Sequence, residues 1–151
     1  MKAGDVMTTG AATIRPEASL ADAARIMLDN RISGLPVVDS AGKLVGIITE
    51  RDFLRRGKDD ARRWLDILLD EASGQDTADQ LNDRRVADVM STDPLTVSVE
   101  TSVSEITELM ERHNVRRIPV VANDKVAGIV SVTDLLLALM RKTNRISDRP
   151  A

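Results

Sequence analysis

Apolar residues recur along this chain at two alternating spacings, and the alternation runs through the sequence twice. Short extended segments, Ala12–Arg15 and Leu95–Ser98, are each followed by residues spaced for one helix face: Leu20, Ala23, Ala24, Met27 and Leu28, then Val103, Ile106, Leu109 and Met110. Ser19 and Ser102 stand immediately before these stretches with Asp22 and Glu105 three residues on, so each helix is expected to start behind a capping serine. Valine- and isoleucine-rich runs come next in pairs, Leu35–Val38 with Leu44–Ile48 and Ile118–Val121 with Val126–Val130, each pair split by a polar turn and predicted as two strands. Closing helices are predicted to begin after Thr49 and Ser131. The second carries Val132, Leu135, Leu136, Leu139 and Met140 together with Leu137 and Ala138, wider than one core face, which predicts a partner subunit on its other side.

Residue identities repeat with the pattern. Asp5-Val6-Met7 returns as Asp88-Val89-Met90, Leu35-Pro36-Val37-Val38 as Ile118-Pro119-Val120-Val121, and Gly46-Ile47-Ile48-Thr49-Glu50-Arg51-Asp52 as Gly128-Ile129-Val130-Ser131-Val132-Thr133-Asp134. The offset changes from 83 to 82 between the strands of each pair, so one residue is lost at a polar turn and the flanking strands stay intact. Each copy is too small to bury much apolar surface alone, and the two are expected to pack on one another about a pseudo-twofold axis. The predicted organisation is an α/β fold of two repeats, each strand-helix-strand-strand-helix, at residues 1–57 and 86–143. Residues 58–85 have no counterpart; Ala61, Trp64, Leu65, Leu68, Leu69 and Ala72 predict an extra amphipathic helix there, read either as a linker covering core or as a docking surface for an effector protein. Residues 144–151 are expected to be a flexible tail.

Composition narrows the chemistry. The chain has no cysteine and one histidine, His113, so thiol catalysis, thiolate zinc sites and histidine-pair metal sites are excluded, and no nucleophile stands with a base. A non-catalytic protein without a bound metal is expected. The net charge of −3 and the near-absence of aromatic residues, only Phe53 and Trp64, argue against nucleic-acid binding. No apolar run reaches the roughly 20 residues of a membrane span and no signal-peptide core follows Met1, so the cytoplasm is the expected compartment.

Thr49-x-x-Asp52 and Ser131-x-x-Asp134 each run from a strand into a helix start, where unpaired amides and the positive end of a helix dipole suit a phosphate. The hydroxyl could add a donor and the acid could accept from a ribose. The same spacing is also a capping box that needs no ligand. Spacing alone leaves both readings open.

The Asp-Val-Met opening, the Pro-Val-Val strand and the Gly-x-x-[Ser/Thr]-x-x-Asp exit, in this order and twice, resemble the cystathionine-β-synthase (CBS) domain, and the tandem pair resembles a Bateman module. The resemblance spans Gly4 to Arg55 and Val86 to Arg141. It implies two sheets joined into a disc with two clefts for adenosyl ligands such as AMP, ADP, ATP or S-adenosylmethionine, bound as regulatory ligands without a required cofactor. In the first cleft it implies Asp52 on the ribose, Thr49 near the phosphates, Thr13 and Ile14 at the base edge, and Ser33, Gly34, Leu35 and Pro36 as lining. In the second it implies Asp134, Ser131, Thr96 and Val97 in the matching roles, lined by Arg116, Arg117, Ile118 and Pro119. Arg116 and Arg117 replace Ser33 and Gly34, so the second cleft would favour more phosphate charge. A homodimeric ligand sensor is the expected function; the alternative is a dimerisation or protein-interaction module with vestigial clefts.

Overall fold

The computed structural model describes residues 1–54 and 82–147. Its elements in chain order are α1 (Ala3–Val6), α2 (Leu20–Asn30), β1 (Gly34–Val38), β2 (Leu44–Thr49), α3 (Glu50–Leu54), α4 (Val86–Val89), β3 (Ser91–Thr92), β4 (Val97–Ser98), α5 (Val103–His113), β5 (Arg117–Ala122), β6 (Lys125–Ser131) and α6 (Val132–Ser147). The expected strand-helix-strand-strand-helix order holds in both repeats, with the opening strand of the first reduced to a single bridge from Ile14 to Val37. The Trp64 helix expected between them lies outside the described residues.

Both long helices start where the capping serines place them: Ser19 Oγ accepts from Asp22 N at 3.0 Å and Ser102 Oγ from Glu105 N at 3.1 Å. Each stops on a left-handed residue, Arg31 or Asn114, whose amide closes back on the last turn. The face that α2 buries carries Leu20, Ala23 and Met27. Leu28, expected on that face, is instead 78% exposed, because Ile26 on the other flank of the stripe turns partly into the core. The missing residue of the second repeat shortens its hairpin turn. There Asn123 and Asp124 both take positive φ, as a two-residue turn between right-twisted strands requires, whereas the longer first turn is held by Asp39 Oδ1 accepting from the amides of Ala41 and Lys43, with Gly42 at φ +83.

The compact units do not follow the repeats. One unit joins Met1–Ala11 to Leu95–Ala151, and the other is Ala12–Pro94. Each repeat therefore gives its opening segment to the other repeat's unit. In the second unit, β1 pairs antiparallel with β2, β2 pairs antiparallel with β3, and Ile14 bridges to Val37 on the far edge. In the first, β4 pairs parallel with β5, β5 pairs antiparallel with β6, and Thr8 bridges to Ile129. The sheets correspond strand for strand.

The cores record the same exchange. Val86, which opens the second repeat, is fully buried among Ile14, Leu20, Met27, Leu35 and Ile48, while Ala3 is fully buried among Val97, Ile106, Ile118 and Val130. Burial of a side chain such as Val86 stabilises by about 1.5–3 kcal/mol, which offsets the ordering of one or two residues at about 1–2 kcal/mol each, and the hydrogen bonds of Val86 N to Ala18 O and Ala87 N to Pro16 O hold the segment further. The Asp of each Asp-Val-Met motif closes the turn that presents it: Asp5 Oδ2 accepts from Lys2 N at 2.9 Å and Asp88 Oδ2 from Arg85 N at 3.1 Å. Outside this turn, Lys2 is paired with Glu100. The arriving segments cross the strands at Gly46 and Gly128, and no side chain would fit there. A Cβ on Gly128 would stand 2.7 Å from Thr8 O and 2.9 Å from Met7 Sδ, and one on Gly46 would stand 2.7 Å from Met90 Sδ and 2.9 Å from Ser91 O.

The last helix runs on through Ser147, into the segment expected to be a flexible tail. No glycine or proline interrupts Arg141–Ser147, and Thr143 Oγ1 donates to Leu139 O at 3.0 Å, so the backbone stays helical after the apolar face ends. Among the described residues no helix is long and apolar enough to cross a membrane.

Candidate functional site

In each unit the sequence-predicted residues of one repeat are spread over neighbouring strands: hydroxyl and acid meet at the strand-to-helix junction beside the start of the proline strand, and the base-edge pair lies on the proline strand's other side. In the second unit, Gly34 pairs with Thr49 across the β1–β2 ladder and Leu35 with Ile48. Ile14 N donates to Pro36 O at 3.0 Å and Val38 N to Ile14 O at 2.8 Å, which fixes Thr13 and Ile14 at the edge beside Pro36. Ser33 O accepts from Glu50 N at 3.1 Å, bringing Ser33 against the first residue of α3. The first unit repeats this arrangement: Arg117 pairs with Ser131 and Ile118 with Val130, Val97 pairs with Val120 next to Pro119, and Arg116 O accepts from Val132 N at 3.0 Å. Thr13, Thr96 and Arg116 are exposed. Ile14, Gly34, Leu35, Pro36, Val97, Ile118 and Pro119 are buried, while Ser33, Thr49, Arg117 and Ser131 are half-buried.

The two acids sit in capping geometry. Asp52 is 3% exposed, and its Oδ2 accepts from Thr49 N at 2.7 Å. Asp134 Oδ2 accepts from Ser131 N at 2.8 Å and Ser131 Oγ at 3.0 Å, and Asp134 N donates back to Ser131 Oγ at 3.2 Å. This is a complete reciprocal capping box. The expectation of unpaired amides at these junctions is therefore corrected: Thr49, Glu50, Ser131, Val132 and Asp134 all donate within the protein. The reason is topological. The hairpin ladder continues one step past each strand end, so the carbonyl of Ser33 or Arg116 reaches the first helical amide. What each junction offers a ligand is the rest of a carboxylate beside a hydroxyl, not a ring of bare amides.

One partner was missed in the sequence. Thr8 Oγ1 donates to Asp134 Oδ1 at 2.8 Å, so a hydroxyl from the start of repeat one is seated on the acid of repeat two. A carboxylate has about four acceptor sites. With Ser131 N, Ser131 Oγ and Thr8 Oγ1 as donors, Asp134 has about one left. A signal was present: Met7-Thr8 and Met90-Ser91 both follow the Asp-Val-Met motif with a hydroxyl residue. Among the described residues no cluster of acids or histidine could hold a metal ion.

A profile of the CBS domain matches residues 3–59 and 86–141. A CBS domain-containing protein of Bacillus subtilis, YhcV, is 31% identical over 136 residues, covering 90% of this chain and 84% of its own. Two crystal structures share the architecture: Arabidopsis thaliana CBSX2 in complex with AMP, with 26% identity, TM-score 0.72 and coverage of 94% of this chain and 98% of that one, and the CBS domain pair of MJ0100 in complex with 5-methylthioadenosine and S-adenosyl-L-methionine, with 26% identity, TM-score 0.71 and the same coverage. Twice-repeated motifs, matching sheets and the profile over both repeats agree that the chain belongs to the CBS-domain family, a non-catalytic regulatory fold, and carries its domains as a tandem pair.

Proposed function

We propose that this protein is a ligand sensor whose junctions take an adenosyl ligand, AMP, ADP, ATP or S-adenosylmethionine, as a regulatory ligand. Asp52 and Asp134 accept from ribose hydroxyls, Thr49 and Ser131 lie toward the phosphates, and Thr13, Ile14, Thr96 and Val97 border the base. Arg116 and Arg117 bias the second site toward ligands of greater phosphate charge. The observation that carries the reading is the hydroxyl and acid placed side by side at the junction after β2 and after β6, against the start of the neighbouring proline strand. The bound AMP and adenosyl compounds of two relatives support the ligand class. Two ribose hydroxyls need two acceptor sites on Asp134, so binding there exchanges the Thr8 hydroxyl for a ribose hydroxyl. That exchange links ligand occupancy to the opening segment, and it shifts the protein only by as much as the ligand favours the released state.

The second reading, a dimerisation module, rests on α6, where Leu136, Leu139 and Met140 are 55–57% exposed. We read this face as the seat of a second copy, compatible with the sensor and sufficient alone if the junctions are vestigial. Calorimetry with the four ligands and sedimentation of Leu136→Glu separate the cases. Asp52→Ala and Asp134→Ala should each weaken binding at their own junction roughly ten- to a hundredfold, as for loss of a charged hydrogen bond. Capping acids alone would lower stability by about 1 kcal/mol and leave binding unchanged. No heat from any ligand, with dimers lost in Leu136→Glu, would leave only the assembly reading.

A further inference from the structure

We propose that a groove in the unit of residues 1–11 and 95–151 is a second ligand site, for a small organic phosphate, which meets the proposed adenosyl site only at Asp134. Its cavity of about 690 Å³ is the size of an ordinary small-molecule pocket. One wall is the opening segment Asp5–Thr8. The other is a face of α6 that runs from Asp134 through Leu137 and Ala138 to Arg141 and Lys142. Of the residues assigned to the second adenosyl site, only Asp134 lines it.

The distribution of charge decides what it binds. Asp134 accepts from Ser131 and Thr8 and Asp5 from the Lys2 amide, all neutral donors, so both acids keep their charge. No ion pair among the described residues involves Arg141 or Lys142. These two successive cations gather positive charge at one end of the groove, which suits a phosphate monoester of nearly two negative charges better than a single carboxylate. Val6, Met7, Leu137 and Ala138 line the middle with apolar surface, and at the inner end Asp134 retains one acceptor site for a hydroxyl. Asp134 and Arg141 are seven residues apart on one helix, about 10 Å along its axis, within reach of a phosphorylated sugar bridging the two ends. The site is single. By the 82-residue offset the first repeat has Arg55, Arg56, Asp59 and Asp60 where the second has Leu137, Ala138, Arg141 and Lys142, so neither its apolar middle nor its cationic end recurs.

The test is a titration of the full chain with ribose 5-phosphate, followed by amide resonances. Saturable shifts are expected at Thr8, Leu137 and Ala138, with the dissociation constant raised at least about tenfold in the double variant Arg141→Gln/Lys142→Gln. Both side chains are exposed on α6, and an unchanged thermal midpoint of the double variant confirms that it folds. Arg116→Gln, which alters only the adenosyl cleft, is expected to leave the constant unchanged. The proposal is overturned by absence of groove shifts at about 10 mM ligand, by wild-type affinity in the double variant, by equal weakening in Arg116→Gln, or by inorganic phosphate binding as tightly as the sugar phosphate.

Discussion

Gly128→Ala tests the exchange of opening segments most directly, because local and tertiary effects have opposite signs there. In a strand that met nothing, alanine would restrict the unfolded chain and stabilise by roughly 0.5–1 kcal/mol. Here the new methyl would stand 2.7 Å from the backbone oxygen of Thr8, a residue held by two ladder bonds, Thr8 N to Ile129 O at 2.9 Å and Ile129 N to Thr8 O at 3.0 Å. Relief requires the opening segment to move outward by about half an ångström. Such overpacking costs about 1–3 kcal/mol, and weakening one ladder bond adds about 1 kcal/mol. After the unfolded-state gain is subtracted, a destabilisation of about 2 kcal/mol is expected. Gly46→Ala meets a flexible thioether first, Met90 Sδ at 2.7 Å, with Ser91 O at 2.9 Å, so it should cost about half as much. Urea unfolding measures both through the midpoint, and hydrogen exchange at Thr8 and Ile129 should show faster opening in Gly128→Ala. A neutral or stabilising Gly128→Ala, with exchange at those amides unchanged, would refute the crossing of the two segments at this glycine.

Two further outcomes follow from contacts of the same segment. Thr8→Val keeps the side-chain shape but removes the hydroxyl that donates to Asp134, and should destabilise by about 1–2 kcal/mol; a loss below about 0.3 kcal/mol in chemical denaturation would mean that water replaces Thr8 freely. The hydrogen bond and charge of Glu100 raise the pKa of Lys2 above its ordinary 10.5. The pair's contribution is therefore complete below that value and is lost as pH rises past the folded-state pKa, so the wild type should lose an alkaline increment of stability that Lys2→Met lacks, read as parallel melting curves between neutral and alkaline pH.

Local order was legible because local chemistry decides it. Ser19 and Ser102 start helices by meeting amides three residues on, valine-rich runs pair across short turns, and a one-residue loss is absorbed where Asn123 and Asp124 tolerate positive φ. The duplication was legible for the same reason, since each copy repeats the signals of one strand-helix-strand-strand-helix unit. Even the two readings of Thr49-x-x-Asp52 and Ser131-x-x-Asp134 belonged to the sequence, because the same hydroxyl and acid that close a cap can face a ribose.

Only the tertiary structure decided which repeat completes which sheet. Residues 1–11 lie beside residues 95–151, and residues 84–94 beside the first repeat, because buried Ala3 and Val86 find their apolar surroundings there and because Gly128 and Gly46 leave room for the crossing. Nothing in the spacing of Asp-Val-Met announces that destination. The seating of Thr8 on Asp134 follows from it, across an interval of 126 residues. Caps and turns are settled by neighbours a few residues away, whereas burial is settled by whichever surface is available once the chain has folded back on itself.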